Sequence, residues 1–189
     1  MKKILLIIAI TLCIFQMVVL AEAIDIGSPV IDRGNNSIAN YTYIDVNNPA
    51  NGSGKITSVE IYAHSAMSSC VVATFYVVSG NNLTARDHEL IGDVAVGYNQ
   101  FDININVEAE DCIGIYNTTG TIDYDVTGDG FWYKSGDNTT CVDTTFSFLT
   151  SRMLSLYGTG TTVAAGIKWN GVTITKWNGQ VITKWNGLE

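Results

Sequence analysis

Residues 101–107 read FDININV, and this stretch alternates strictly between apolar and polar side chains. A period of two is typical of a β-strand that is buried on one face and solvated on the other. The stretch therefore predicts an antiparallel sheet with a solvated face, because a strand buried on both faces would be apolar throughout. The side chains expected on the buried face are Phe101, Ile103, Ile105 and Val107.

The same alternation recurs elsewhere in the chain. In TIDYDV, residues 121–126, it predicts that Asp123 and Asp125 point outward. The residues of this stretch expected to point inward are Ile122, Tyr124 and Val126. Further strands are predicted at roughly 41–46, 56–63, 71–78, 89–96, 111–116, 131–134, 143–149 and 152–157.

Turn-forming clusters such as NNPANGSG and TGDG separate these stretches, and no segment after residue 23 shows a sustained helical period. About ten short strands at this spacing predict an all-β fold, namely an antiparallel β-sandwich over residues 24–160. A jelly roll is the favoured topology, and an immunoglobulin-like sandwich is the alternative.

The chain begins MKKILLIIAITLCIFQMVVLAEA, with two lysines, a long apolar run and small residues at Ala21 and Ala23. This pattern predicts a secretory signal peptide, residues 1–23, cleaved after Ala23. The alternative is an uncleaved anchor, because the apolar run is close to the roughly 17 to 20 residues that span a bilayer. The expected location is therefore secreted or at the cell surface, with a virion as a further alternative.

Acidic residues dominate the rest of the chain. The sequence has ten Lys plus Arg and eighteen Asp plus Glu, and removing Lys2, Lys3 and Glu22 with the signal leaves a net charge of −9. Residues 167–189 carry three lysines and one glutamate, so the body before them has a net charge of −11. Such a surface repels phosphate backbones, which argues against nucleic acid as a partner.

Three cysteines remain once Cys13 leaves with the signal. Cys112 lies in the apolar run CIGIY, which is typical of a buried free thiol. Cys70 and Cys141 lie where polar sequence turns apolar, and export permits disulfides. We therefore predict a Cys70–Cys141 disulfide, with three reduced thiols as the alternative.

The chain ends in a tail, residues 161–189, which contains the repeats KWNGVTITKWNGQVITKWNG. Each Asn-Gly pair predicts a two-residue hairpin turn, so six-residue strands would place successive tryptophans on opposite faces. A ribbon with an aromatic on each face is marginal alone in water and leaves an edge open to strand addition. We therefore predict that Trp169, Trp177 and Trp185 mediate assembly or anchoring, by self-association or on another surface or virion protein. The alternative is a flexible end or a cloning scar.

Sequence motifs for catalysis and metal binding are absent or incomplete. Only His64 and His88 offer neutral-pH bases, and neither lies in a nucleophile motif or a zinc signature. DYDVTGDGFWYK matches the first half of a calcium loop through Asp123 and Asp125, but Lys134 stands where a bidentate glutamate belongs. The sequence therefore predicts no catalytic residue, no cofactor and no metal, with an irregular calcium site as the alternative at the two aspartates.

An aromatic triplet, Phe131, Trp132 and Tyr133, stands between glycine-rich turns. An exposed aromatic ring at a sandwich rim can stack on the C–H face of a sugar. Trp132 and Tyr133 are thus the candidate carbohydrate-binding residues. The alternative places Trp132 in the core and the other two side chains on the opposite face.

The segments IDIGSPVIDRG, NNPANGSGKITSVEIYA, VATFYVVSGNN, DCIGIYNTTG and SLYGTG together resemble a poorly characterised group of β-sandwich proteins from bacteriophage and environmental bacteria. The KWNG repeats resemble those that end many phage virion and tail-associated proteins. This resemblance implies a displayed structural or host-surface-binding protein, and it carries over no catalytic residues. The export signal departs from most virion proteins and favours a bacterial surface or secreted protein.

Two functions are expected from these observations. The first is a non-enzymatic, secreted or surface-displayed structural or adhesive protein whose tail mediates assembly or anchoring. The alternative is a lectin-like carbohydrate-binding module that uses aromatic residues at the rim.

Overall fold

The computed structural model describes residues 22–162 throughout and, in the tail, four short strands between residues 167 and 181. The strands are β1 (Ala23–Gly27), β2 (Asn35–Asn36), β3 (Tyr41–Asp45), β4 (Gly54–Ser79), β5 (Asn82–Val94), β6 (Gly97–Val107), β7 (Cys112–Tyr116), β8 (Thr119–Asp125), β9 (Phe131–Ser135), β10 (Thr144–Thr145), β11 (Ser147–Leu149), β12 (Met153–Leu154), β13 (Leu156–Thr162), β14 (Ile167–Trp169), β15 (Val172–Ile174), β16 (Lys176–Trp177) and β17 (Gln180–Val181). In this part of the chain, no helix has the length and apolar character needed to cross a membrane.

A large antiparallel sheet of 13 strands contains β1 to β13. Its main path runs β1-β13-β4-β7-β3-β9-β11, and the other strands pair from the sides of this path. Every described pairing is antiparallel, as the alternating stretches predicted. The all-β prediction is confirmed, and β1 is a strand that the sequence patterns did not reveal.

The 26-residue strand β4 is the hub of this sheet. Its first half pairs with β13 and β6, and its second half pairs with β5 and β7. Sequence analysis predicted two strands here, with an interruption between residues 63 and 71. That interruption is wrong, because Ser65 and Ser68 continue the strand by pairing with β8. Register shifts on both sides of Cys70 accommodate the change of partners.

The decisive stretch FDININV forms the end of β6 as predicted. Ile103, Ile105 and Val107 are buried, whereas the polar residues between them are exposed. The buried side chains join the main core, a cluster that draws residues from both halves of β4 and from their neighbours. Local alternation was sufficient here because one face of the strand meets solvent.

A second core lies on the other face of the second half of β4. Alternation along this strand sends Val72 to the main core and sends Ala73 and Phe75 to the second core. The stretch VVATFYVV was predicted to be buried on both faces. Residues 72–75 are buried on both faces, whereas the prediction is wrong for Tyr76, Val77 and Val78, which are exposed. The second core consists of Ile44, Ala73, Phe75, Leu83, Cys112 and Phe146.

The predicted Cys70–Cys141 disulfide is absent, and the three cysteines within residues 22–162 are free. Cys70 belongs to the main core, whereas Cys141 packs against the second core. The two thiols thus lie on opposite faces of the same sheet, which is incompatible with the short Cα separation that a disulfide needs. Burial raises the pKa of Cys70 and of Cys112 to about 12, so both thiols stay protonated and unreactive.

The inward and outward assignments for TIDYDV are partly wrong. Asp123, predicted to be solvated, is fully buried, and Val126, predicted to be inward, is 51% exposed. The strand β8 ends at Asp125, so Val126 lies beyond its alternation. Asp123 is covered because Arg33 lies over this face of β8, where its backbone N–H donates to the Asp123 carboxylate at 3.0 Å and its guanidinium lies 3.7 Å from Asp125. The neighbouring Ser155 donates its N–H to the Asp123 backbone carbonyl at 2.9 Å.

The tail strands form two separate two-stranded sheets, one from β14 and β15 and one from β16 and β17. Trp169 lies opposite Val172, and Trp177 lies opposite Gln180. The Asn-Gly pairs at 170–171 and 178–179, for which two-residue turns were predicted, lie outside the described residues. Trp185 and the first 21 residues of the predicted signal peptide lie outside the described residues.

Asp45, at the end of β3, gives the fold a testable dependence on pH. It is fully buried, and burial raises its pKa above the ordinary 3.8 although the Asn47 backbone N–H donates to its carboxylate at 2.9 Å. A raised pKa means that the folded protein holds the proton more tightly than the unfolded chain. The contribution of Asp45 to stability is therefore fully present below about pH 4 and is lost as the pH rises through its folded-state pKa.

We expect Asp45→Asn, which mimics the protonated acid, to raise the melting temperature at pH 7 by several degrees and to change it little at pH 4. Thermal unfolding at the two pH values measures this difference. The control is Asp102→Asn on the exposed face of β6, which should change the melting temperature by the same small amount at both pH values. A destabilisation by Asp45→Asn at pH 7 would show that the buried carboxylate is favourable as a charge.

Candidate ligand-binding cleft

A cleft with a volume of about 230 Å³ opens beside the main core, where β3, β9 and β8 approach one another. Four tyrosines contribute to its walls, so we call it the tyrosine cleft. Its lining residues are Asn36, Ser37, Ile38, Tyr41, Tyr43, Tyr124, Phe131, Tyr133 and Leu149. The concentration of aromatic rings, with a few polar groups among them, is typical of small-ligand sites.

The register between β3 and β9 creates the aromatic wall. Tyr43 lies directly opposite Tyr133, so the two side chains share a face of the sheet. Tyr41 and Phe131 each lie two residues from one of these tyrosines and therefore point to the same side. Four aromatic rings from two strands are brought together in this way, although about ninety residues separate the strands in sequence.

Phe131 forms the floor of the cleft and is 2% exposed. Its ring meets the rings of Tyr43, Tyr124 and Tyr133 edge to face, with centroids 5.3, 5.6 and 6.3 Å away. Edge-to-face pairs stabilise the packing by about 0.5–1.5 kcal/mol each beyond burial. The arrangement holds the tyrosine rings in place before any ligand arrives.

The segment after β2 forms one rim of the cleft. The backbone N–H of Ile38 donates to the hydroxyl of Tyr43 at 3.1 Å, and burial raises the pKa of that phenol. Ser37 is tied to β8 by two hydrogen bonds with Ile122, each of 2.9 Å, and its hydroxyl accepts one of them. The rim is thus anchored, yet the side chain of Ile38 is 65% exposed.

Charge is lacking at the cleft surface. None of the nine described lining residues is Lys, Arg, Asp or Glu. A guanidinium lies nearby, since Arg152 covers the ring of Tyr124 at 5.6 Å from its centroid, but it does not line the cleft. The polar groups available to a ligand are one amide, one hydroxyl and the tyrosine phenols.

The structure separates the two residues that the sequence singled out for carbohydrate binding. Tyr133 lines the tyrosine cleft, whereas Trp132 points to the opposite face of the sheet and packs against the second core. There its indole N–H donates to Asn81 at 3.1 Å, and its ring lies 5.5 Å from that of Phe148. This agrees with the alternative drawn from the sequence, in which alternation divides the triplet.

Three cleft tyrosines were missed by sequence reasoning. Tyr41 and Tyr43 occur in YTY and Tyr124 occurs in DYD, so each lies on the apolar face of an alternating stretch. Alternation marks such a tyrosine as core-facing and carries no information about which strands become neighbours. The spacing of Tyr41 and Tyr43, two residues apart and therefore on one face of a strand, was the sequence feature that could have indicated an aromatic site.

A second, wider cavity of about 510 Å³ is lined by Ser53, Gly54, Arg86, Asn106, Val107 and Glu108. The guanidinium of Arg86 donates to both carboxylate oxygens of Asp111 and pairs with Glu108 at 3.0 Å. Because two carboxylates already satisfy this cation, the cavity offers no unpaired charge to an anionic ligand. It is a weaker candidate than the tyrosine cleft.

The two aspartates of the incomplete calcium motif are engaged in protein contacts. One carboxylate oxygen of Asp123 accepts from the Arg33 N–H at 3.0 Å, and the other lies 2.9 Å from Nδ1 of His64. Asp125 lies 3.7 Å from the guanidinium of Arg33. Within the described residues, no group of three or more His, Cys, Asp or Glu side chains is placed to hold a metal.

His64 and His88 lie apart on different strands. The imidazole of His64 is about half exposed and is oriented by buried Asp123. His88 is exposed on β5, opposite Ala73 of β4. Neither contributes to the tyrosine cleft.

No protein-family model matches the chain, and no curated protein is significantly similar to it in sequence. The geometry of the described residues is therefore the basis for assigning a function.

Proposed function

We propose that this chain is a non-enzymatic adhesive protein, secreted or displayed at a surface, that binds carbohydrate in the tyrosine cleft. The observation that carries the proposal is the convergence of four tyrosines on one uncharged cavity. Tyr133, one of the two aromatic residues expected to bind sugar, belongs to this cavity. Trp132 is not part of the proposed site because it lies on the other face of the sheet.

Carbohydrate suits the chemistry of the cleft. One face of a pyranose ring presents C–H groups, which pack on an aromatic ring, while its hydroxyls need hydrogen-bond partners. Tyr41 and Tyr133 are partly exposed, and their ring centroids lie 6.4 Å apart, so both can meet a ligand at the cleft mouth. Tyrosine supplies a ring and a hydroxyl in one side chain, so a single residue serves both needs.

A glycan array probed with the protein tests this function. We expect binding to a restricted set of glycans, and we expect Tyr133→Ala to weaken it about tenfold because it removes one stacking ring. The matched control is Tyr98→Ala, which deletes a 54% exposed tyrosine on β6, outside the cleft. Equal binding by the two variants would disprove the role of the cleft.

The two halves of the sheet are proposed to pack face to face as a β-sandwich with jelly-roll-like topology. Support comes from the main core, which takes Ile61 from the first half of β4 and Val72 from the second. Because β4 belongs to both halves, the sheet can fold so that its two halves cover one shared core. Such a body would hold the tyrosine cleft on a rigid support.

Assembly or anchoring by the tail is a second candidate function. The observation that favours it is the antiparallel pairing of β14 with β15 over three residues and of β16 with β17 over two. Two-stranded ribbons of this size are marginal alone in water, so a partner would stabilise them. That partner is proposed to be another copy of the chain or another protein of a surface or virion, in keeping with the resemblance to phage and bacterial proteins.

Light scattering coupled to gel filtration tests the role of the tail. We expect the protein to form oligomers that dissociate when residues 167–189 are deleted. Replacing Trp169 and Trp177 with threonine tests the aromatic contribution, and Trp132→Phe in the body is the control. Unchanged oligomers and unchanged surface attachment after the deletion would exclude the tail from assembly.

A further inference from the structure

We propose that the tyrosine cleft recognises one uncharged, methyl-bearing sugar unit at the end of a glycan, such as a 6-deoxyhexose or an N-acetylhexosamine. This inference rests on the proposed carbohydrate-binding function and names the ligand class for the same site. Three properties of the cleft carry it: its size, its lack of charge and the apolar side chains at its mouth.

Size restricts the ligand to a single ring. The cleft volume is about 230 Å³, below the roughly 300–1,000 Å³ of pockets that take drug-sized ligands. A cavity of this size holds one sugar unit and leaves no room for a buried second one. The rest of the glycan would therefore extend into solvent, which makes the bound unit a terminal one.

The ligand is expected to be uncharged because the lining residues of the cleft carry no charge. A carboxylate or sulfate placed in the cleft would lose water without gaining a cation from the nine lining residues, and an uncompensated charge is costly to bury. The body of the chain also carries a net charge of −11, which repels anionic glycans at a distance. Uronic acids, sialic acids and sulfated sugars are therefore disfavoured.

A preference for a methyl group follows from the mouth of the cleft. Ile38 is 65% exposed and Leu149 is 39% exposed, and both line the cleft together with the aromatic rings. A methyl group of the ligand would cover this aliphatic surface and remove it from water. A hydroxymethyl group would gain little from the same contact. The amide of Asn36 remains for hydroxyl or amide groups elsewhere on the ring, whereas the hydroxyl of the buried Ser37 already accepts from Ile122.

Titration calorimetry with matched free monosaccharides tests the inference on the full-length protein. The pairs are N-acetylglucosamine against N-formylglucosamine and L-fucose against L-galactose, with glucuronic acid as the anionic probe. We expect the methyl-bearing member of at least one pair to bind about tenfold more tightly than its partner, since one methyl group in an apolar pocket discriminates by that order. Glucuronic acid should show no binding.

Variants at the mouth separate this inference from the function on which it rests. The double substitution Ile38→Ser and Leu149→Ser should remove the preference by weakening binding of the methyl-bearing sugar about tenfold. Both side chains are partly exposed, so folding should persist. Leu90→Ser, at a 66% exposed position on β5, is the matched control and should retain the preference.

The outcomes are distinct. Equal affinity within both pairs, or binding of glucuronic acid that is lost in Arg152→Ala, would overturn the inference and leave the carbohydrate-binding function standing. Failure to bind any glycan, in the array and in the titrations alike, would overturn the proposed function itself. A methyl preference that survives the double substitution would place the ligand outside the cleft.

Discussion

Replacing Phe131 with alanine is expected to lower the free energy of unfolding by about 3–5 kcal/mol and to abolish glycan binding. The ring is 2% exposed and packs edge to face against Tyr43, Tyr124 and Tyr133. Removing it leaves a cavity beneath these rings, so they lose both support and a fixed orientation. Urea denaturation measures the stability change, and the glycan array measures the loss of binding.

Two further substitutions isolate the role of the Phe131 ring. Phe131→Leu keeps most of the buried volume and should cost less stability than alanine, with binding weakened rather than lost. Phe148→Ala removes a 36% exposed ring that contacts Trp132 on the other face, and it should leave binding unchanged. If Phe131→Ala retained full glycan affinity, the cleft floor would have no part in recognition.

A second large effect is expected from Asp123→Ala, which should lower the free energy of unfolding by about 3 kcal/mol. The substitution removes the acceptor for the backbone N–H of Arg33 and the partner of His64. The Arg33 N–H would then be buried without a hydrogen bond, and such groups are costly. Thermal or urea unfolding monitored by circular dichroism provides the measurement.

The neighbouring acid on the same strand provides a matched control. Asp125 is partly exposed and lies 3.7 Å from the guanidinium of Arg33, so Asp125→Ala should cost less than about 1 kcal/mol. If both alanine variants lost the same stability, burial of Asp123 would not be the source of the effect. Because Tyr124 lies between the two aspartates, a stability loss confined to Asp123→Ala should also weaken glycan binding.

Local patterns were reliable wherever a strand has one solvated face. FDININV could be assigned from its own residues, because burial of Ile103 and Ile105 requires only that some core lie on that side. In VVATFYVV the rule that a strand apolar on both sides is covered twice held for residues 72–75 and failed for Tyr76, Val77 and Val78, which are exposed. The class of fold followed from such stretches, and the sheet confirmed it.

Predictions failed where a distant segment covers a strand. Asp123 belongs to a stretch with ordinary alternation, yet Arg33, 90 positions away, shields it from solvent. The same reasoning explains the cysteines, because the sequence marks both as partly buried and cannot say that they occupy opposite faces. These outcomes depend on which elements pack together, and single-strand patterns carry no such information.

The amino-acid sequence by itself determined the all-β class and the buried face of β6. These features depend on the two-residue period of an extended chain, which is a local property. Only the tertiary structure decided that Tyr41 and Tyr43 stand opposite Tyr133, because strand register is set by the whole sheet. The tyrosine cleft is therefore a product of that register, and no single segment of the chain contains it.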